Sequence, residues 1–188
     1  PTLVRKTGVN HYDFIRTLSR DFAFESISAE VDGSNADEMI ENAQQSMKVG
    51  HEVTIKLPLT KEGLLACKIL SDEGLKSKLT LCFSAAKAVM AAKAGATYIS
   101  PFVGRMNDNS FSGVELVRAI GGLYAQHRVE TKVLAASLRD VHHVSRCLLY
   151  GADVVTLPVT VFDKMYDHVL TREGLDIFEK DFQIINQQ

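Results

Sequence analysis

Two residues of opposite charge stand inside apolar, β-branched runs of this sequence. Lys56 lies in the middle of TIKLPLT (54–60), and Glu30 lies near the end of ESISAEV (25–31). Burial favours the neutral form of a lysine, and a neutral amine can attack a carbonyl carbon to form a Schiff base. An ion pair between Lys56 and Glu30, or a lysine stem that carries its ammonium to the rim of a sheet, would explain the same pattern without chemistry. The residues alone leave these interpretations open.

Two further segments could bind a phosphorylated ligand. In AASLRD (135–140), Ser137 and Arg139 could offer a hydroxyl, a backbone N–H group at a helix start and a guanidinium to one phosphate. In SPFVGRMND (100–108), Arg105 follows a strand within a loop, where arginine often reaches a ligand. The alternatives are an N-capping serine beside a surface arginine, and a salt bridge within the loop.

The elements that must position these residues alternate along the chain. Short β-rich runs are followed by helical patterns almost from end to end, which predicts βα units and a parallel sheet. The predicted strands are Glu25–Val31, Glu52–Leu57, Lys78–Phe83, Thr97–Ser100, Lys132–Ser137 and Asp153–Leu157. We therefore predict an α/β fold, either an open doubly wound sheet or most of an eight-unit barrel.

Alternation of side chains along each strand predicts which residues share a face. The pairs expected on one face are Ser28 with Glu30, Thr54 with Lys56, and Thr80 with Cys82. Catalytic groups of parallel sheets gather at the carboxyl ends of the strands. Residues expected at those ends are Glu30, Lys56, Ser100 and Ser137. Their convergence indicates a site more strongly than any one of them.

Composition excludes several functional classes. The 188 residues fit one domain, 1–188, with a net charge of −2 that argues against general nucleic-acid binding. The chain lacks the apolar stretch of roughly 18 residues that a membrane span needs. Cys67, Cys82 and Cys147 are odd in number and far apart, which indicates reduced thiols in the cytoplasm rather than a structural zinc site.

The last segment of the chain has the pattern of an extra helix. It runs over 172–186, with Leu175, Phe178 and Phe182 at helical spacing, and no strand follows it. This stripe could pack on the chain's own barrel or on another subunit.

Three longer segments carry a family resemblance. They are TIKLPLTKEGLLACKIL (54–70), LTLCFSAAKAVMAAKAGATYISPFVGRMND (79–108) and KVLAASLRD (132–140). They resemble the transaldolases, especially the short subfamily that includes the fructose-6-phosphate aldolases. The resemblance implies a (β/α)8 TIM barrel that transfers a dihydroxyacetone unit between sugar phosphates, as in the pentose phosphate pathway, through a lysine Schiff base. It also implies no cofactor, no metal, and a homo-oligomer, since the short subfamily tends to form rings of subunits tied by the terminal helix.

The resemblance assigns a role to each matching residue. Lys56 matches the Schiff-base lysine, Glu30 the carboxylate that handles the catalytic water, and Thr80 the hydrogen-bonding partner of that water. The implied substrate-binding residues are Ser100, Phe102, Arg105, Ser137 and Arg139, with the two arginines clamping the substrate phosphate.

Two positions bear on which reaction is expected. The aldolase branch is expected to carry Gln at the position of Glu30 and Tyr at that of Phe102, whereas this chain has the transaldolase residue at both. A tyrosine hydroxyl can position water or protonate the carbanion, releasing free dihydroxyacetone. Phenylalanine leaves the enamine for an aldehyde acceptor, so transfer is expected rather than release.

The sequence also departs from the family. The family's first strand bears an Asp acid/base and its second ends in Thr-Thr-Asn-Pro; Pro1 matches that proline, so a barrel lacking its first two strands is expected. An inactive remnant that only binds sugar phosphates or assembles with other subunits is the alternative. At Lys78, transaldolases usually carry Asn. A cation there could favour the neutral amine of Lys56, or could pair with Glu30.

Overall fold

The computed structural model describes residues 8–187, so the match of Pro1 lies outside the described part of the chain. The strands of this part are β1 Ile27–Glu30, β2 Val53–Pro58, β3 Ser77–Cys82, β4 Tyr98–Pro101, β5 Lys132–Ala135 and β6 Val154–Val155. They confirm the six predicted strands and form one parallel sheet in the order β1-β2-β3-β4-β5-β6. This sequential order is that of a barrel, because a doubly wound sheet reverses direction at a switch point.

Helices connect the strands. Those of the described chain are α1 His11–Asp21, α2 Ala36–Met47, α3 Lys61–Asp72, α4 Ala85–Lys93, α5 Val103–Asp108, α6 Gly113–His127, α7 Val141–Leu149, α8 Val159–Lys164 and α9 Val169–Ile185. The terminal helix α9 begins three residues before the predicted start at 172. A search of residues 8–187 finds no helix of the length and apolarity that crossing a membrane requires.

One long-range contact shows that the sheet is curled. Lys132, the first residue of β5, donates a hydrogen bond to the carboxylate of Glu25, just before β1, over 3.1 Å. In a flat sheet these strands would lie about 19 Å apart, because neighbouring strands are spaced by about 4.8 Å. Two side chains cannot span that gap. The sheet is therefore curled like part of a barrel wall, with a concave inner face.

The two faces of the sheet have different surroundings. The outer face packs against the helices through fully buried residues that include Ile55, Leu57 and Leu79. On the inner face, Tyr98, Leu134 and Ala136 form a separate small apolar cluster. Polar side chains on the same face include Ser28, Glu30, Thr54, Lys56, Lys78, Thr80 and Ser100. The apolar core thus lies between the sheet and the helices, and the inside of the barrel is available for a polar binding site.

An irregularity in β3 changes the predicted face of Cys82. Leu79 pairs with Ile99 but Cys82 pairs with Pro101, so β3 has one extra residue there, and Leu81 takes a left-handed conformation with φ of 62°. Such a bulge reverses the alternation of side chains beyond it. Cys82 accordingly packs in the outer apolar core. The prediction that Thr80 and Cys82 share a face is wrong, because it assumed an unbroken strand.

Candidate active site

Lys56 and Glu30 lie side by side at the carboxyl edge of the sheet. They are direct partners in the register of β1 and β2, and the Lys56 Nζ donates a hydrogen bond to Glu30 Oε2 over 2.6 Å. Their side chains are 23% and 29% exposed, so the pair is shielded but open to a ligand. The ion pair that the sequence left open is therefore present. It also places a lysine amine and a carboxylate within one substrate's reach.

A second lysine lies beside this pair. Lys78 is the register partner of Lys56 on β3, and only 7% of its surface is exposed. Its Nζ donates a hydrogen bond to the Ser28 hydroxyl on β1 over 2.6 Å. Because β2 lies between β1 and β3, the Lys78 stem crosses the inner face of β2. The Lys78 ammonium thus bonds to Ser28, which lies two residues before Glu30 on the same face of β1.

Burial is the main cause of an unusual pKa at Lys78. The pKa of its ammonium is lowered to about 8, mainly by desolvation and also by the charge of Lys56, while Glu30 opposes the shift. A lysine in the unfolded chain has a pKa near 10.5. Between these values the unfolded chain binds more protons at this position than the folded chain, so stability rises with pH.

This linkage gives a stability prediction. Between pH 7 and pH 10.5, the free energy of unfolding of the native chain should rise by about 3 kcal/mol relative to Lys78→Met, which lacks the titrating group. Urea denaturation of both proteins across this range measures the difference. A difference in the free energy of unfolding between the native chain and Lys78→Met that stays constant with pH would contradict the lowered pKa of Lys78.

Two buried hydroxyls face the same interior. Thr80 lies two residues beyond Lys78 and pairs in register with Pro58, and Ser100 lies two residues beyond Tyr98 on β4. Within the described residues, neither hydroxyl oxygen has a hydrogen-bond partner, although both side chains are about 1% exposed. A buried hydroxyl without a partner costs about 1–3 kcal/mol. Both hydroxyls are therefore free to bond to a water molecule or a substrate hydroxyl.

The loops that bear the two arginines follow neighbouring strands. Phe102 and Ala136 form a bridge between the ends of β4 and β5, so α5 and the segment 137–140 start side by side. The Arg105 guanidinium stacks over the Phe102 ring at 5.1 Å. The Phe102 ring in turn lies edge-on to Phe83 at 6.0 Å. These contacts hold Arg105 at the rim of the barrel, where its side chain is exposed.

Gly104 brings the second arginine segment against the first. Its N–H donates to the Ser137 carbonyl over 3.0 Å, and a Cβ at this position would lie 3.0 Å from both Ser137 Oγ and Arg139 Nε. Ser137 itself has a left-handed backbone, with φ of 61°. Arg139 Nη1 donates to Asp108 Oδ1 over 2.6 Å. A serine hydroxyl and a guanidinium thus meet at one point of the rim.

The structure therefore arranges the predicted residues in two groups. Glu30, Lys56, Thr80 and Ser100 share the inner face of the sheet, and Phe102, Arg105, Ser137 and Arg139 lie at its carboxyl rim. Sequence reasoning missed Gly104, Ser28 and Asp108 as parts of this arrangement. The spacing of Asp108 from Arg105 would suggest an ion pair within α5, but Asp108 instead accepts from Arg139, 31 positions along the chain, which no local pattern indicates.

Comparison with known proteins identifies the family. The family model described as "Transaldolase/Fructose-6-phosphate aldolase" matches residues 3–188. A "Probable transaldolase" of Caulobacter vibrioides is 46% identical over 187 residues, covering 100% of this chain and 86% of the relative. Proteins of the same name from Paracoccus denitrificans, 43% identical with 100% and 86% covered, and from Brachyspira hyodysenteriae, 42% identical with 98% and 86% covered, are also similar. The chain belongs to the transaldolase/fructose-6-phosphate aldolase family.

Proposed function

We propose that this chain is a transaldolase. It takes a dihydroxyacetone unit from fructose 6-phosphate or sedoheptulose 7-phosphate and transfers it to erythrose 4-phosphate or glyceraldehyde 3-phosphate. The observation that carries the proposal is the half-buried Lys56 at the carboxyl edge of the sheet, paired with Glu30 at 2.6 Å. Its place in a member of this family favours a Schiff base over a purely structural ion pair.

The first step joins Lys56 to the donor sugar. After loss of its proton, the Lys56 amine attacks C2 of the ketose, a C–N bond forms, and the carbonyl oxygen takes up a proton to become a hydroxyl. That hydroxyl then leaves as water, which gives the Schiff base. Glu30 takes the proton that Lys56 loses, returns a proton to the leaving hydroxyl as acid, and later activates the hydrolytic water as base. The free hydroxyl of Thr80 supplies a hydrogen bond to the water.

The second step exploits the positive nitrogen of the Schiff base. The C3–C4 bond of the donor breaks, its electron pair moves toward nitrogen to form an enamine, and the C4 hydroxyl gives its proton to a base as the aldehyde leaves. The enamine attacks the acceptor aldehyde, and water hydrolyses the new Schiff base. Ser100, whose hydroxyl is free on the same inner face, bonds to a hydroxyl of the bound three-carbon unit.

The rim residues hold the phosphate end of the substrates. Arg105 and Arg139 each supply guanidinium donors that match phosphate oxygens, and Ser137 adds a hydroxyl. Support comes from Gly104, against which Ser137 and Arg139 both pack. In the structure the Arg139 guanidinium is bonded to Asp108, so substrate phosphate replaces a carboxylate as its partner.

Borohydride trapping tests the proposal. The protein is incubated with fructose 6-phosphate, reduced, and examined by intact mass and peptide mapping. A reduced adduct on Lys56 supports the Schiff base, and Lys56→Arg treated in the same way is the control. An adduct on Lys78 instead of Lys56 would contradict the proposal, because it would identify Lys78 as the nucleophile. Substrate binding without any adduct would instead support the non-catalytic alternative.

The residue at position 102 should decide between transfer and release. Phe102 has no hydroxyl that could protonate the enamine or position water, so the enamine waits for an aldehyde. Phe102→Tyr should raise the release of free dihydroxyacetone relative to transfer severalfold. The ratio is measured by assaying both products with and without erythrose 4-phosphate. An unchanged ratio in Phe102→Tyr would show that Phe102 does not control this choice.

We further propose that residues 1–188 belong to a single domain and that the curled sheet is part of a (β/α)8 barrel. The sequential strand order and the contact between Lys132 and Glu25 support this architecture. The three buried, free cysteines are compatible with a cytoplasmic protein.

A homo-oligomer, ring-shaped as in the short subfamily, is also proposed. The support is α9, none of whose residues is buried and whose Leu175, Phe178 and Phe182 are 60%, 61% and 63% exposed. Replacing these three residues with glutamine should reduce the native mass to that of a monomer, as measured by light scattering. The matched control replaces three charged residues of the same helix with glutamine, namely Glu173, Glu179 and Lys180. This control should leave the native mass unchanged. A native chain that is already monomeric would refute the assembly.

A further inference from the structure

We propose that Lys78 is a positioning residue for the Schiff-base reaction: its ammonium, anchored by Ser28 beside the Glu30–Lys56 pair, opposes a second positive charge on Lys56 and so favours loss of the Lys56 proton. The inference rests on the function proposed above and adds to it a charge that favours the reactive form of Lys56.

The geometry places the charge where this role requires it. Lys78 is the register partner of Lys56, and its Nζ is fixed by a 2.6 Å hydrogen bond to Ser28 on β1. Ser28 lies two residues before Glu30, on the same face of the same strand. The Lys78 ammonium therefore reaches across β2 toward both members of the pair. Since its surface is only 7% exposed, solvent screens its charge weakly.

Counting charges shows what Lys78 changes. With both lysines protonated, the three side chains carry a net charge of +1, and loss of the Lys56 proton leaves the neutral combination of Glu30 and Lys78. Without Lys78, the protonated Lys56 has no second cation among these three side chains to oppose its charge. Two like charges held close together disfavour the doubly protonated state. The Lys56 amine is therefore easier to form when Lys78 is charged.

Within residues 8–187, two further titratable groups lie near this cluster. Tyr98 is the register partner of Lys78 on β4, and His11 on α1 is close enough to Glu30 to sense its charge. Burial lowers the pKa of His11, which keeps it neutral near pH 7. The pKa of Lys78, near 8, leaves its ammonium mostly charged at that pH. Among the described residues, Lys78 is therefore the cation best placed to oppose the positive charge on Lys56.

Trace labelling with acetic anhydride tests the inference without using turnover. The reagent modifies only the amine form of a lysine, so the extent of labelling, mapped by peptide mass across pH 6 to 10, reports the amine fraction of Lys56. Lys61, which is exposed at the start of α3, is the internal reference. In Lys78→Met and Lys78→Gln, labelling of Lys56 at pH 7 should fall about tenfold relative to the native chain.

Three controls separate charge from packing. Lys78→Arg keeps the charge and should preserve the Lys56 labelling curve. Lys76→Met makes the same change on the exposed residue that precedes β3 and should also preserve it. Ser28→Ala removes the anchor but keeps the ammonium, so it should move the curve in the same direction as Lys78→Met, by less. Circular dichroism checks that each variant is folded. If Lys78→Met does not fold, Lys78→Gln replaces it, because glutamine retains a hydrogen-bond donor for Ser28.

The outcomes distinguish this inference from the proposed function. A Lys56 curve in Lys78→Gln that superimposes on the native curve would overturn the role of Lys78, as would an equal change in Lys76→Met. The acid limb of kcat/KM for transfer should move to higher pH together with the labelling curve. If the native chain gave no borohydride adduct with fructose 6-phosphate, the transaldolase proposal would fail while the labelling result stood by itself.

Discussion

Replacing Lys56 with arginine should lower the rate of transfer from fructose 6-phosphate to erythrose 4-phosphate by about 10⁴-fold or more. A guanidinium stays protonated at any working pH, so it cannot attack a carbonyl carbon. Removal of a covalent nucleophile is among the most damaging single changes to an enzyme. Arginine still carries the positive charge that Glu30 binds at 2.6 Å, and the fold should therefore survive.

The measurement is kcat/KM from a coupled assay, with thermal unfolding of the same samples. Lys61→Arg, an identical change on the exposed first turn of α3, is the matched control and should keep full activity. Residual transfer within 100-fold of the native rate in Lys56→Arg would show that another group, or no Schiff base at all, carries the reaction.

Gly104→Ala should raise the KM for fructose 6-phosphate by about 100-fold. The added Cβ would lie 2.1 Å from the Ser137 carbonyl oxygen, closer than any real contact, and 3.0 Å from Ser137 Oγ and Arg139 Nε. The backbone at Ser137 must move, and the hydroxyl and guanidinium proposed to hold phosphate move with it. Losing one or two charge-assisted hydrogen bonds of about 1.5–3 kcal/mol each accounts for this change.

Two comparisons isolate the effect of Gly104. Gly122→Ala, in the middle of α6 with open space around the added Cβ, should leave the KM unchanged and stabilise the fold by roughly 0.5–1 kcal/mol. Borohydride trapping with dihydroxyacetone, which carries no phosphate, should be equal in Gly104→Ala and the native chain. Trapping with dihydroxyacetone that falls as far as trapping with fructose 6-phosphate would show that Gly104 supports the lysine itself rather than a phosphate site.

Much of the architecture was predictable because regular patterns repeat. The six strands follow from alternating β-rich and helical segments. Helix ends are marked by Gly95 in KAGATYIS (93–100) and Gly151 in LYGADVVTL (149–157). Gly95 and Gly151 indeed have φ of 80° and 94°, the left-handed conformation that ends a helix before a strand. The inner positions of Lys56 and Glu30 follow from alternation within short, unbroken strands.

The remaining features depend on contacts between distant residues. Nothing in LTLCF indicates that Leu81 adopts a left-handed backbone, since leucine disfavours that conformation and only the packed structure imposes it. The bond between Lys78 and Ser28 joins residues 50 positions apart across an intervening strand. Sequence could place Lys78 on the right face, but the choice between Glu30 and Ser28 as its hydrogen-bond partner depends on the curvature of the sheet.

The bond between Arg139 and Asp108 has a consequence for which sugars can compete for the site. A guanidinium already held by a carboxylate at 2.6 Å is not an open receptor, because an incoming group must offer more than the carboxylate does. A phosphate dianion does so through its greater charge, whereas the hydroxyls of an unphosphorylated sugar do not. Under the proposed function, Asp108 is therefore an internal competitor that a substrate phosphate displaces from Arg139. Unphosphorylated hexoses, which cannot displace it, should gain no binding energy from this arginine.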